Sequence, residues 1–291
     1  MYRQNQRGRI NVKLLVILIL VTLALGISLV AARQVRREIL SEAAMREGQA
    51  AYEREDWRTA CKHFRDYLGS NPEDLEILKK YAEAQASIRP MDAGTIHGAI
   101  VANRRILQLD PLDKDACERL ATLYAGIGNF DELVHIAKLR LTHDPNDRQA
   151  PLWLANGLTR LGKTEEARGI LESYIEKLEV VSDRPMEYVR ACVGMSETIL
   201  AESPEEGKSA ALAYLNRAVR NGPPSAEALL ARARFLARVM NIPGMSAEER
   251  LNLARQDLQA ADDLDAANPQ ILLLLGREWL AHGQLDRKSV V

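Results

Sequence analysis

The sequence predicts an all-α chain: an apolar N-terminal helix followed by stacked helix–turn–helix units. Three observations carry this. Residues 14–32 read LLVILILVTLALGISLVAA, 19 positions without a charge. The segments RILQLDP at 105–111 and LRLTHDP at 139–145 both run into Asp-Pro, and the second ends 34 residues after the first. Between such stops, apolar residues return every three to four positions, the spacing of a helix buried on one face. A fixed interval of this length means one supersecondary unit laid down repeatedly.

Residues 1–13 form a basic tail with Arg3, Arg7, Arg9 and Lys13. As a helix the 14–32 run spans about 28 Å, close to the roughly 30 Å of a bilayer core. Arg33, Arg36 and Arg37 follow it. The basic residues outnumber those behind by a narrow margin, which places the N-terminus in the cytoplasm. The run is then a signal anchor, with the rest of the chain outside the cytoplasm. A cleaved signal stays open as the alternative, since LVAA precedes Arg33; the chain would then be secreted or periplasmic. The run is longer than a usual signal-peptide core. Residues 33–40, RQVRREIL, read as a charged helical stalk.

The cleanest unit is 114–147, KDACERLATLYAGIGNFDELVHIAKLRLTHDPND. Gly126, Gly128, Asn129 and Asp131 punctuate its middle. Pro145 disfavours helix at Asp144 and closes it. The next unit, 148–181, turns at Gly162-Lys163-Thr164-Glu165. An earlier one, 41–74, carries Gly48, Ala60, Trp57, Phe64 and Pro72. These positions resemble the tetratricopeptide repeat, a 34-residue motif with small residues at positions 8 and 20, an aromatic or large apolar one at 24, Ala at 27 and Pro at 32. The matches are Gly48, Ala60, Phe64 and Pro72; then Ala121, Tyr124, Gly128, Phe130 and Pro145; then Ala155, Gly162, Ala167 and Leu171. Tyr67 and Arg140 depart from it at position 27, and Leu133 at position 20.

The remaining units are longer. Unit two, 75–113, has extra residues around IRPMDAG; unit five, 187–224, around AESPEEGK; unit six, 225–268, around NIPGMSAEER. Unit seven opens at 269, where Gly276, Trp279 and Gly283 fit the motif, and breaks off after its first helix. A C-terminal truncation is therefore expected. The resemblance implies a right-handed superhelical solenoid over 41–291. A lone pair of helices buries too little apolar surface, so each unit leans on its neighbours.

In this family, ligands contact the first helices of the units. The resemblance therefore points to Glu42, Met45, Gln49, Tyr52 and Glu53 in unit one, and Glu76, Lys79, Glu83 and Ser87 in unit two. Unit three offers Asp115, Glu118 and Thr122; unit four offers Gln149, Leu152, Asn156 and Arg160. Met45 and Glu83 stand where a carboxylate clamp for chaperone tails needs cations or amides. Carboxylates outnumber cations in the first three units, so a basic or neutral peptide is the expected partner.

Residues that would carry chemistry are not gathered in the sequence. No histidine sits in HExxH or beside a cysteine at metal-ligand spacing. No GxSxG or phosphate-binding GxxxxGK[ST] occurs. GIGN at 126–129 is a turn, and the pairs Glu165-Glu166 and Asp262-Asp263 are helix-surface charges. Cys61, Cys117 and Cys192 are spaced like packing residues rather than a disulfide framework. The net charge of -1 offers no basic stripe for nucleic acid. The expected function is a non-catalytic, cofactor-free, membrane-anchored scaffold for protein partners in assembly of a bacterial envelope complex. The alternative is the anchoring and substrate-recruiting arm of an enzyme with a catalytic domain beyond residue 291.

Overall fold

The computed structural model describes residues 12–274, with the backbone alone described for 12–22 and Ala24. Among them, α1 (Val12–Glu53) is one unbroken helix of 42 residues. The expected anchor, stalk and first repeat helix therefore share a single element. What changes near residue 41 is burial. Leu25, Ile27, Leu29, Val30, Val35 and Leu40 are exposed, whereas Ser41, Ala44, Gly48 and Ala51 are buried at helical spacing. Among the described residues, no helix is long and apolar enough to cross a membrane. Much of the 14–32 run expected to do so lies outside the described side chains. Arg3, Arg7 and Arg9 of the tail, and Gly276, Trp279 and Gly283 of unit seven, also lie outside the described residues.

Two compact units divide between Arg119 and Leu120, inside α5 (Lys114–Ile127). The first contains α1, α2 (Trp57–Leu68), α3 (Leu75–Ser87) and α4 (Ala93–Leu109), each packed on the next. Asp56, Asp74 and Asp92 cap α2, α3 and α4 by accepting backbone N–H bonds that the helix leaves unmade. Gly48 lets α2 approach α1. A Cβ there would stand 2.7 Å from the Phe64 ring, which is fully buried among Ala51, Ala60, Cys61, Ile77 and Ile88. The extra residues of IRPMDAG form the α3–α4 connection, which includes a cis Arg89-Pro90 bond.

The second unit continues with α6 (Phe130–His143), α7 (Ala150–Arg160), α8 (Thr164–Glu179), α9 (Met186–Glu202), α10 (Lys208–Asn221), α11 (Ala226–Arg238) and α12 (Ala247–Leu264). From α6 onward, each helix packs on its successor, and α7–α9 and α9–α11 also touch. That alternate contact makes an inner row of first helices. Three hydrogen bonds stitch the row: Gln149 to Glu187, Arg190 to Glu227 and Arg234 to Gln270, at separations of 38, 37 and 36 residues. The repeat length is thus written in side-chain pairing. One continuous core includes Leu154, Leu158, Leu171, Ile175, Tyr188, Met195, Leu215 and Leu236. Each large apolar side chain so buried contributes about 1.5–3 kcal/mol.

Departures at position 27 find a common use. The Tyr67 hydroxyl donates to Asp74 at 2.7 Å, and Arg140 Nε donates to Asp147 at 2.7 Å. Both acids lie seven residues on and cap the start of the following unit. NIPGMSAEER is not all connection. Ser246 and Glu249 form a reciprocal capping box, so AEER is the first turn of α12. Cys61, Cys117 and Cys192 are free and buried.

Candidate binding groove

In the first unit, α1 and α3 bring several of the expected contact residues together. Lys80 Nζ donates to Gln49 at 3.0 Å and to Glu76 at 2.8 Å; the Tyr52 hydroxyl donates to Glu83 at 2.6 Å. Burial, then the Glu83 carboxylate, push the Tyr52 phenol up to about 12, so it remains a donor. Lys79 pairs with Asp113 at 2.5 Å. Gln49, Tyr52, Glu76 and Glu83 therefore satisfy one another or Lys80, and two of the carboxylates are already answered from within. Met45 packs against the Phe64 cluster, while Glu42, Asp115 and Glu118 are exposed.

The second unit holds a cavity of about 750 Å³ lined by α7, α9 and α11, with Leu171 of α8. Three expected residues, Leu152, Asn156 and Arg160, form its α7 wall. The expected residue Gln149 also lines it, whereas Thr122 is exposed on α5 and is not in the lining. Opposite them stand Arg190, Val193 and Glu197 from α9, and Glu227 and Arg238 from α11. A 2.8 Å hydrogen bond between the Thr159 and Thr198 hydroxyls joins α7 to α9. Arg190 Nε donates to Glu227 at 3.3 Å. The Arg160 guanidinium rests 5.6 Å from the Phe130 ring centre, which fixes where its charge is presented.

Glu197 differs from the other lining charges. It accepts no hydrogen bond and joins no ion pair among the described residues. The concave walls raise its carboxyl pKa by desolvation, partly offset by Arg160 and Arg234. Its side chain is nonetheless exposed to solvent on the open side of the groove. Trp153, Leu152, Val193 and Leu200 supply apolar surface around it. Such a surface can hold an extended chain by its side chains and answer its charges.

Reasoning from repeat positions missed Arg190, Glu197, Glu227 and Arg238. The signal was present: Arg190, Glu197 and Ala201 fall on one face of α9, as Leu152, Asn156 and Arg160 do on α7. Residues 182–186, between units four and five, and the extra residues of unit five shift the count that would align α9 and α11 with α7. Elsewhere, burial pushes the Cys61 and Cys192 thiols up to about 11, which suppresses thiolate chemistry. Among the described residues, no three His, Cys, Asp or Glu side chains gather as a metal site would require.

No protein-family model matches the chain, and no curated protein matches it. Among solved structures it is similar to PilW, a widely conserved type IV pilus biogenesis factor: 16% identity, 81% of this chain, 98% of that chain, TM-score 0.49. It is similar to MamA at 16% identity, 70% of this chain, 98% of that chain and TM-score 0.48. A tetratricopeptide repeat protein from Parabacteroides merdae shares 13% identity over 81% of this chain and 98% of that chain, with TM-score 0.42. Similarity at these levels says nothing of what the chain binds.

Proposed function

We propose that this chain is a non-catalytic, single-pass membrane-anchored scaffold of the bacterial cell envelope, and that it binds a protein segment in the α7–α9–α11 groove. The groove is the observation that supports this. It is preformed by packed helices, so a ligand would lose little to ordering the protein. It combines apolar area with charges that are not all answered internally. The uncharged run at 14–32 and its continuity with the first repeat helix support the anchor. In this reading the exposed apolar residues Leu25, Ile27, Leu29 and Val30 of α1 meet lipid.

The test is photo-crosslinking in the native cell. A crosslinking residue at Asn156, on the groove, is expected to trap a discrete protein adduct that the same residue at Glu176, exposed on α8, does not. Equal trapping from both, or none from Asn156, would overturn the groove. The intact chain is expected to stay in the membrane pellet through alkaline carbonate; its release would overturn the anchor.

A further inference from the structure

The charges across the groove follow an order. The middle helix α9 carries Glu197, and the flanking helices α7 and α11 carry Arg160 and Arg238. Other charges of the lining are committed: Arg190 and Glu227 pair with each other, and the neighbouring Arg234 donates to Gln270 at 2.6 Å. Arg160 is held on the Phe130 ring but is exposed, as is Arg238. Among the described residues none of Arg160, Glu197 and Arg238 is tied in an ion pair, although Arg160 offsets part of the burial cost at Glu197, and the order across three helices is plus, minus, plus. We propose that the groove takes an extended protein segment presenting a lysine or arginine to Glu197, with acidic side chains on either side for Arg160 and Arg238. This rests on the groove being the binding surface.

Spacing sharpens the prediction. Packed helices lie about 8–10 Å apart, and an extended chain advances about 3.3 Å per residue. Side chains of an extended chain alternate faces, so the acidic residues that share the face of the basic one should stand two or four positions, about 7 or 13 Å, before and after it. Trp153, Leu152 and Val193 are placed to cover the aliphatic stem of a lysine or arginine, as such stems commonly lie along apolar surface. A segment with a neutral side chain at the centre would leave Glu197 desolvated further with only the partial offset from Arg160 and Arg234, which is costly.

The experiment is selection of a phage-displayed random dodecapeptide library on the full chain in lipid nanodiscs. Groove binders are those lost on Asn156→Trp, with folding of each variant checked by circular dichroism. The expected binders carry a central Lys or Arg flanked by Asp or Glu. Glu197→Gln should weaken the best of them by about tenfold or more, and selection on Glu197→Lys should return an acidic residue at the centre. Groove binders with no basic residue in common would overturn this proposal and leave the groove standing. Binders indifferent to Asn156→Trp would overturn the groove itself.

Discussion

Glu55 turns the chain from α1 to α2 with φ at 59°, in the left-handed region. Gly128 and Gly162 hold the equivalent place before α6 and α8, at φ 74° and 77°. A side chain there costs roughly 1–2 kcal/mol that glycine does not incur. Glu55→Gly should therefore raise unfolding free energy by about 1 kcal/mol, and Gly128→Ala should lower it by a similar amount. Urea melts of the two variants check this; a destabilised Glu55→Gly would mean that Glu55 contributes contacts outweighing its backbone strain. The turn before α6 was legible because Gly128-Asn129 supplies both the left-handed residue and the cap. The turn before α2 was placed by phase alone, since nothing in EREDW announces positive φ at a glutamate. Tyr67 and Arg140 were legible as departures from the motif, but not as partners of Asp74 and Asp147. That role depends on where the next helix starts in space, which residue type does not reveal.

Helices are tied to one another by pairs of very different worth. Arg232 of α11 and Asp257 of α12 are both buried and meet in two bonds of 2.6 and 2.8 Å, with Asn216 of α10 taking a third from the same guanidinium. Asp257→Ala leaves a buried cation short of its counter-charge and should cost about 3–5 kcal/mol. Glu227→Ala breaks the exposed Arg190 pair and should cost under about 1 kcal/mol. Thermal melts of the two variants side by side should show the contrast; equal losses would mean that water reaches the Arg232 pair. The start of α12 is a local case. Ser246→Ala removes the acceptor for the Glu249 amide and should cost about 1 kcal/mol, seen first as faster amide exchange in the first turn of α12. The helices themselves were legible from period and stops, because each unit repeats the same apolar spacing. The groove was half legible. Its α7 wall follows from the unbroken count through units three and four, whereas α9 lies past residues 182–186 and α11 also past AESPEEGK, which alter the count without altering the packing.

Across the molecule, pH should act with opposite signs on two classes of carboxyl. Burial pushes Asp113 up, but the bonds from Lys79 and the Ala116 amide outweigh it and leave its pKa lowered. Asp147 is lowered in the same way by Arg140 and two backbone amides, again against burial. The hydrogen bond from Arg217 holds Glu179 low. Each has a folded pKa below its unfolded value, about 3.9 for Asp and 4.3 for Glu. Their stabilisation is present above those values and lost as pH falls through the folded ones. Asp113 and Asp147 cap successive repeat helices, so acid should loosen the joints of each unit rather than its helices. Glu197 runs the other way. Its folded pKa is raised, so the free chain gains stability as pH falls through that value toward the unfolded one, and its charge is a burden at neutral pH. Because Glu197 is exposed the effect is small: Glu197→Gln should raise the melting temperature slightly near pH 7 and leave it nearly unchanged near pH 4. Asp147→Asn should lower it near pH 7 and flatten its fall in acid. A Glu197→Gln variant less stable at neutral pH would mean that Arg160 and Arg234 already stabilise the carboxylate, leaving no role for a cation from a partner.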